Sequence, residues 1–256
     1  MWRRALLVFA LVLGTTASGR AETAAQPTST ATAMPTVVEL FTSQGCNSCP
    51  PADVFLTELA RRPGVIALTY DVDYWNYLGW KDTFATAATT ARQKAYAERI
   101  SNGELYTPEM VIGGTVAVTG SDRAAVEQAI VRVARSQAAS GIVLRAARDA
   151  SGAVRIALPP AKQAATPGGK AAVVWLVGYD SRRVVKIMQG ENRGRTITYT
   201  NVVRYIRPIG RWPGQAETIT LDSAALKGAD HALIMVQAAD AGAIVGCVKL
   251  PTTKPN

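Results

Sequence analysis

The sequence predicts an α/β domain followed by an antiparallel, β-sandwich-like domain, and three observations lead there. As far as about residue 139, strand-like apolar runs alternate with stretches of helical periodicity. Beyond Ala139 the helical pattern stops. Short β-branched or alternating runs recur at 141–148, 153–158, 171–178, 183–188, 195–206, 216–221 and 231–237, separated by turn clusters such as Asp149-Ala150-Ser151-Gly152 and Pro167-Gly168-Gly169. Hydrophobic residues make up 48% of the 256 and charged residues 18%, which supplies a core for each part and excludes global disorder.

The elements follow in order. Residues 1–21 (MWRRALLVFALVLGTTASGRA) read as a secretory signal peptide. Arg3 and Arg4 form a basic start, Ala5 to Gly14 carry no charge, and small residues offer cleavage after Ala17 or Ala21. The apolar run is about half the ~20 residues of a membrane-spanning helix, so the expected location is the periplasm or the exterior, with no membrane contact after cleavage. Residues 22–35 are small and polar, a flexible leader. Thr36 to Phe41 is an apolar strand ending in a Ser43-Gln44-Gly45 turn. Asp53 to Arg62 aligns Val54, Leu56 and Leu59 as a helix stopped by Pro63-Gly64, and Val65 to Val72 is a second strand. Residues 73–83 form an aromatic, polar insertion, and 84–100 an alanine-rich helix. Met110 to Thr119 reads as a hairpin around Gly113-Gly114. Asp122 is the expected N-cap of a helix running to about Gln137. The division is an α/β domain at 36–139 and a β-rich domain at 140–256, with the boundary near 138–141.

Charge and rare residues narrow the function. Lys and Arg number 28 against 19 Asp and Glu, a net +9; loss of Arg3, Arg4 and Arg20 with the signal leaves +6, spread along the chain. The longest basic cluster (Arg193, Arg195, Arg204, Arg207, Arg211) lacks the density of a nucleic-acid surface, so no nucleic-acid partner is expected. His231 is the only histidine, which excludes zinc sites needing two imidazoles.

Cysteine chemistry centres on Cys46-Asn47-Ser48-Cys49 at a strand–helix junction. Unpaired amides at a helix start stabilise an anion there, which lowers a thiol's pKa and makes it nucleophilic. Cys49, three residues on, can resolve a mixed disulfide formed at Cys46. Two other readings stay open, a structural staple and a soft-metal site. As a staple, a four-residue loop is worth only about 2 kcal/mol against nearly 5 for a hundred-residue loop. Zinc needs two further ligands, for which the chain offers Cys247 and His231 besides carboxylates, and the region lacks the Met-rich stretches of a Cu(I) carrier. No dissociable cofactor is expected.

The strand–CxxC–helix start and the later Thr107-Pro108 before a strand resemble the thioredoxin superfamily. More closely, VVELFTSQGCNSCPPAD, DVDYWNYLGWKD, YTPEMVI and ENRGRTITYTNVV resemble a secreted bacterial family of unknown function with a thioredoxin-like domain, over about residues 36–250. The resemblance implies a thioredoxin-like fold for 36–139, Cys46 as an exposed nucleophile, Cys49 as the resolving thiol, and Pro108 as a cis-proline with the Thr107 backbone positioning an extended substrate. Gly45 stands where thioredoxins have Trp, Asn47-Ser48 replaces Gly-Pro, and Pro50 replaces Lys.

Among accessory candidates, Trp75 and its aromatic neighbours Tyr74, Tyr77 and Trp80 could wall a groove, and Asp71 or Asp73 could shuttle protons; an aromatic mini-core is the alternative. Arg193, within Glu191–Arg195, could bind a carboxylate or dock on the other domain. Cys247 reads as a buried apolar residue. The expected function is thiol–disulfide exchange on a protein or small-molecule disulfide, with a possible redox partner protein. The alternative is a binding or assembly module with a structural CxxC disulfide.

Overall fold

The computed structural model describes residues 28–30, 34–161 and 169–252. The expected signal peptide lies outside the described residues, as does much of the leader. Its described part departs from the flexible expectation: β1 (Thr28–Thr30) is a short strand antiparallel to β6 (Arg145–Arg148).

In the first part, β2 (Thr36–Thr42) leads through the cysteine loop into α1 (Pro50–Leu59). Then β3 (Val65–Asp71) returns parallel to β2, with Thr36 opposite Val65 and Thr42 opposite Asp71. After the aromatic segment, α2 (Ala87–Ile100) starts on a Thr86–Thr89 capping box. The hairpin of β4 (Glu109–Ile112) and β5 (Val116–Thr119) turns at Gly113 and Gly114, whose φ of 57° and 70° suit residues without a Cβ. Asp122 caps α3 (Arg123–Ser140) through the Ala125 N–H. Helices α1 and α3 bury Phe55, Leu56, Leu59, Val126 and Val133 against one face of the sheet, while Tyr96 of α2 packs with Phe41 and Tyr70 on the other.

The second part contains β6, β7 (Val154–Leu158), β8 (Ala172–Lys186), β9 (Thr196–Trp212), β10 (Glu217–Leu221), β11 (His231–Gln237) and β12 (Ile244–Lys249). Strands β1-β6-β7-β10 form one sheet, packed through Leu144, Ile156, Val174, Leu176, Ile234 and Trp212 against the β-rich end of the other. That other sheet has eight strands in the order β12-β11-β8-β9-β3-β2-β4-β5. The boundary expected near residues 138–141 is therefore a change of composition and not a break in the sheet. Thr69 of β3 pairs with Val202 of β9, Thr69 Oγ1 donates to the Thr200 carbonyl at 2.7 Å, and Asn201 Nδ2 donates to the Ala67 carbonyl at 2.8 Å. A strand of the α/β part would otherwise keep an open edge; the β-rich part closes it.

The two runs expected at 171–178 and 183–188 are one strand, β8. Buried Asp180 holds its middle by pairing with Arg183 and accepting the Asp230 N–H. Gly178 is required because the Tyr205 ring lies where a Cβ would stand. Together β8 and β9 make a long hairpin, and its tip (residues 187–195) folds over the cysteine loop. Among the described residues no helix is long and apolar enough to cross a membrane.

Candidate active site

Cys46 and Cys49 form a disulfide, with Cα atoms 5.5 Å apart, at the start of α1. The Thr107–Pro108 peptide is cis, and Cys46 Sγ lies 3.9 Å from the Thr107 carbonyl oxygen. The Gly120 N–H donates to the Pro108 carbonyl at 2.8 Å, which fastens this backbone to the end of β5. The structure thus brings Cys46, Cys49, Thr107 and Pro108 together from positions sixty residues apart in the chain.

Two expectations need correction. Neither sulfur is exposed: Cys46 and Cys49 both have 0% relative accessibility, and only Asn47 and Ser48 of the loop reach solvent. The cover is tertiary. Trp75 packs against Gly45, where a Cβ would come within 3.2 Å of its own Cβ, and the hairpin tip closes the other side. The helix start is also not an open row of amides. Pro50 and Pro51 occupy its first turn and have no N–H. The Ala52 and Asp53 N–H groups donate to the Cys49 carbonyl, that of Cys49 to Cys46, and that of Cys46 to Ser43.

Two residues of the 191–195 segment hold the loop. Asn192, fully buried, donates from Nδ2 to the Gln44 carbonyl (3.0 Å) and the Cys46 carbonyl (2.7 Å), and Arg195 Nη1 donates to its Oδ1 at 3.1 Å. Glu191 Oε2 accepts the Asn47 N–H at 3.2 Å. The 191–195 segment does dock on the first part, but through Asn192 and Glu191; Arg193 is exposed and takes no part in these bonds. The sequence marks this segment as a docking candidate but points to its guanidinium groups, whereas an amide and a carboxylate make the bonds to the loop.

Beneath the loop lies a floor of buried carboxyls. Asp53, one helical turn after Cys49, accepts from Thr42 Oγ1 at 2.9 Å, while its Oδ2 has no partner; burial pushes its pKa up to about 8. Asp71, at the end of β3, is fully buried. Neither of its oxygens has a hydrogen-bond partner. Burial, then the charges of Asp82 and Asp53, drive its pKa far above the carboxylate range. Asp82 is raised by burial but opposed by donors from the Gln44 N–H (2.7 Å), Phe84 N–H (2.9 Å) and Ala85 N–H (3.1 Å). The Tyr199 hydroxyl, from β9, is buried here without a partner and is likewise pushed up by burial and these acids.

Asp71 is thus in the floor, whereas Asp73 lies apart: it accepts from Thr90 Oγ1 at 2.8 Å and ties the insertion to α2. Trp75 stacks on exposed Tyr77 with centroids 6.5 Å apart. Sequence reasoning missed Asp53 and Asp82. Their signals were four-residue spacing from Cys49 and an acid inside the aromatic segment. Cys247, on β12 opposite Met235, belongs to the core with Tyr179 and Leu233, and burial pushes its thiol up to about 12.

The site and sheet define a mixed α/β protein with a buried CxxC disulfide beside a cis-proline. The chain belongs to the family described as Protein of unknown function (DUF1223), whose model matches residues 37–237. Its structure is similar to the crystal structure of an Agrobacterium tumefaciens protein from a structural genomics consortium, 28% identical. The match covers 88% of this chain and 97% of that one, with TM-score 0.72. It is also similar in fold to HBP35 of Porphyromonas gingivalis, 11% identical, over 88% of this chain and 79% of that one, with TM-score 0.54. No curated protein matches.

Proposed function

We propose that this protein is a periplasmic or secreted thiol–disulfide oxidoreductase with a thioredoxin-like site. In it Cys46 and Cys49 exchange their disulfide with that of a protein or small molecule. The observation that carries this reading is the 3.9 Å approach of Cys46 Sγ to the Thr107 carbonyl at the cis-proline. The sulfur that would form a mixed disulfide and a backbone acceptor able to pair with an extended substrate share one place. In the reduced pair, the Cys46 thiolate attacks a substrate disulfide, breaking it and releasing one substrate thiol, and Cys49 then attacks the mixed disulfide at Cys46 and releases the second. Since both sulfurs are covered, exchange requires the Asn47–Ser48 corner to lift away from Trp75 and the 187–195 tip.

The test is trapping. Cys49→Ser protein incubated with oxidised glutathione or a disulfide-bonded protein should retain a covalent adduct on Cys46, seen by mass spectrometry and absent in Cys46→Ser. Full burial favours a second reading, a structural disulfide in a binding module. On that reading the variant carries no adduct, and wild type resists mild dithiol while folded.

A further inference from the structure

We propose that the Cys46–Cys49 pair is a low-potential couple: the fold favours its disulfide over its dithiol, so the reduced protein is an electron donor to substrate disulfides and not an oxidant. This rests on the exchange function proposed above and adds its direction.

A couple is oxidising when the fold stabilises its reduced form, chiefly as a thiolate. Here most devices for doing so are missing or spent, the Ser48 hydroxyl excepted. Pro50 and Pro51 remove two amides from the helix start. The amides of Cys46, Asn47, Cys49, Ala52 and Asp53 already donate to Ser43, Glu191, Cys46 and, for the last two, Cys49. Among the described residues no Lys, Arg or His donates to either sulfur; the contacts of Cys46 Sγ are the Ser48 hydroxyl at 3.4 Å and the Thr107 carbonyl. Glu191 is the charged side chain bonded to the loop, on the Asn47 amide, and Arg195 is directed at Asn192. Arg204 pairs with Asp180 through Nε and acts on Asp71 below, not on the sulfurs. A thiolate here would be desolvated, with the Ser48 hydroxyl as its side-chain donor and, among the described residues, no cation bonded to it. The disulfide is neutral and suffers none of this.

The chemistry balances as follows. The Cys46 thiolate attacks one substrate sulfur, breaking the substrate S–S bond and releasing a thiolate that takes a proton. The Cys49 thiolate then attacks Cys46, forming the intramolecular disulfide and releasing the second substrate thiolate, also protonated. Two electrons and two protons pass to the substrate. The pair is restored by a partner dithiol protein of still lower potential, which itself becomes a disulfide. The protein thus stands between a dithiol donor and disulfide substrates.

The experiment equilibrates the full mature chain with glutathione redox buffers at pH 7, approached from both the oxidised and the reduced side and read by thiol alkylation. A synthetic peptide of residues 44–51 gives the constant for the same loop without its surroundings. The constant for reduction of the protein should be at least about tenfold smaller than the peptide's, equivalent to about 30 mV. Glu191→Lys, which keeps the fold by circular dichroism, should move it back toward the dithiol several-fold. A wild-type constant equal to or above the peptide's overturns the proposal. Failure to exchange at all, with no adduct on Cys49→Ser, overturns instead the exchange function beneath it.

Discussion

Two buried polar clusters lie on either side of the central strands, and they are built to opposite rules. In one, Glu39 of β2 receives Arg92 of α2 through two bonds (2.6 and 3.0 Å) and the Tyr96 hydroxyl at 2.6 Å. Gln237 of β11 takes another Arg92 N–H at 3.2 Å, and Tyr70, Tyr96 and Trp175 rings surround the guanidinium within 5.7 Å. Opposite charges are matched there, although the Tyr70 hydroxyl and Trp175 Nε1 lack partners. In the other, Asp53, Asp71 and Asp82 crowd one place with no cation bonded to them, and one oxygen of Asp53 and both of Asp71 lack partners. The first solves desolvation by pairing, the second by holding protons. The charge-paired cluster fixes α2, β2 and β11 together, whereas the cluster of acids keeps titratable groups under the disulfide.

The comparison breaks most visibly at Arg92. Arg92→Met strands Glu39 in the core and should destabilise the fold by about 3–5 kcal/mol in urea denaturation. Adding Glu39→Leu should recover much of that loss. Asp71→Asn, replacing a buried acid whose pKa burial and neighbouring acids raise well above the carboxylate range, should have a far smaller effect, and a loss as large as that of Arg92→Met would mean that the acid floor is ionised.

The floor's pH dependence is next in size. Burial holds the Asp53 proton in the folded state to about pH 8, while the unfolded chain releases it near 3.8. The folded state therefore binds more protons in that window. The contribution of Asp53 is fully present below the lower value, declines as pH rises between the two at up to about 1.4 kcal/mol per unit, and levels off above the upper one. Asp71 acts with the same sign. Urea midpoints for wild type and Asp53→Asn at pH 5 and pH 8 check this: the wild-type drop should shrink in the variant.

Loosening the cover is a smaller change. Asn192→Ala frees the Gln44 and Cys46 carbonyls and should cost about 1–3 kcal/mol, while speeding reduction of the disulfide by dithiothreitol. Arg193→Ala, two atoms of backbone away from that anchor but exposed, should alter neither the urea midpoint nor the reduction rate.

Much of this was legible in the order of residues. Asp122 as a cap, the Gly113-Gly114 turn, α1 ending before Pro63 and the Cys46–Cys49 spacing are all local, set by backbone preference and periodicity within a few residues. Strand β12 (AIVGCVKL) lies beyond the expected runs although Asp240-Ala241-Gly242 offers a turn ahead of it, and β8 reads as two runs around Asp180 because its acid looks like a turn residue until Arg183 and Arg204 pair with it.

By itself the sequence determined that a cysteine pair would close a turn between a strand and a helix, ahead of a Thr-Pro. Tertiary structure alone decided what surrounds that pair. Thr69 meets Thr200 across 131 residues, Asn192 reaches Cys46 across 146, and three acids far apart in the chain converge below. Local periodicity fixes which way a side chain faces. Exposure, hydrogen-bond supply and charge at the sulfurs depend on chain segments that meet only when the sheet closes.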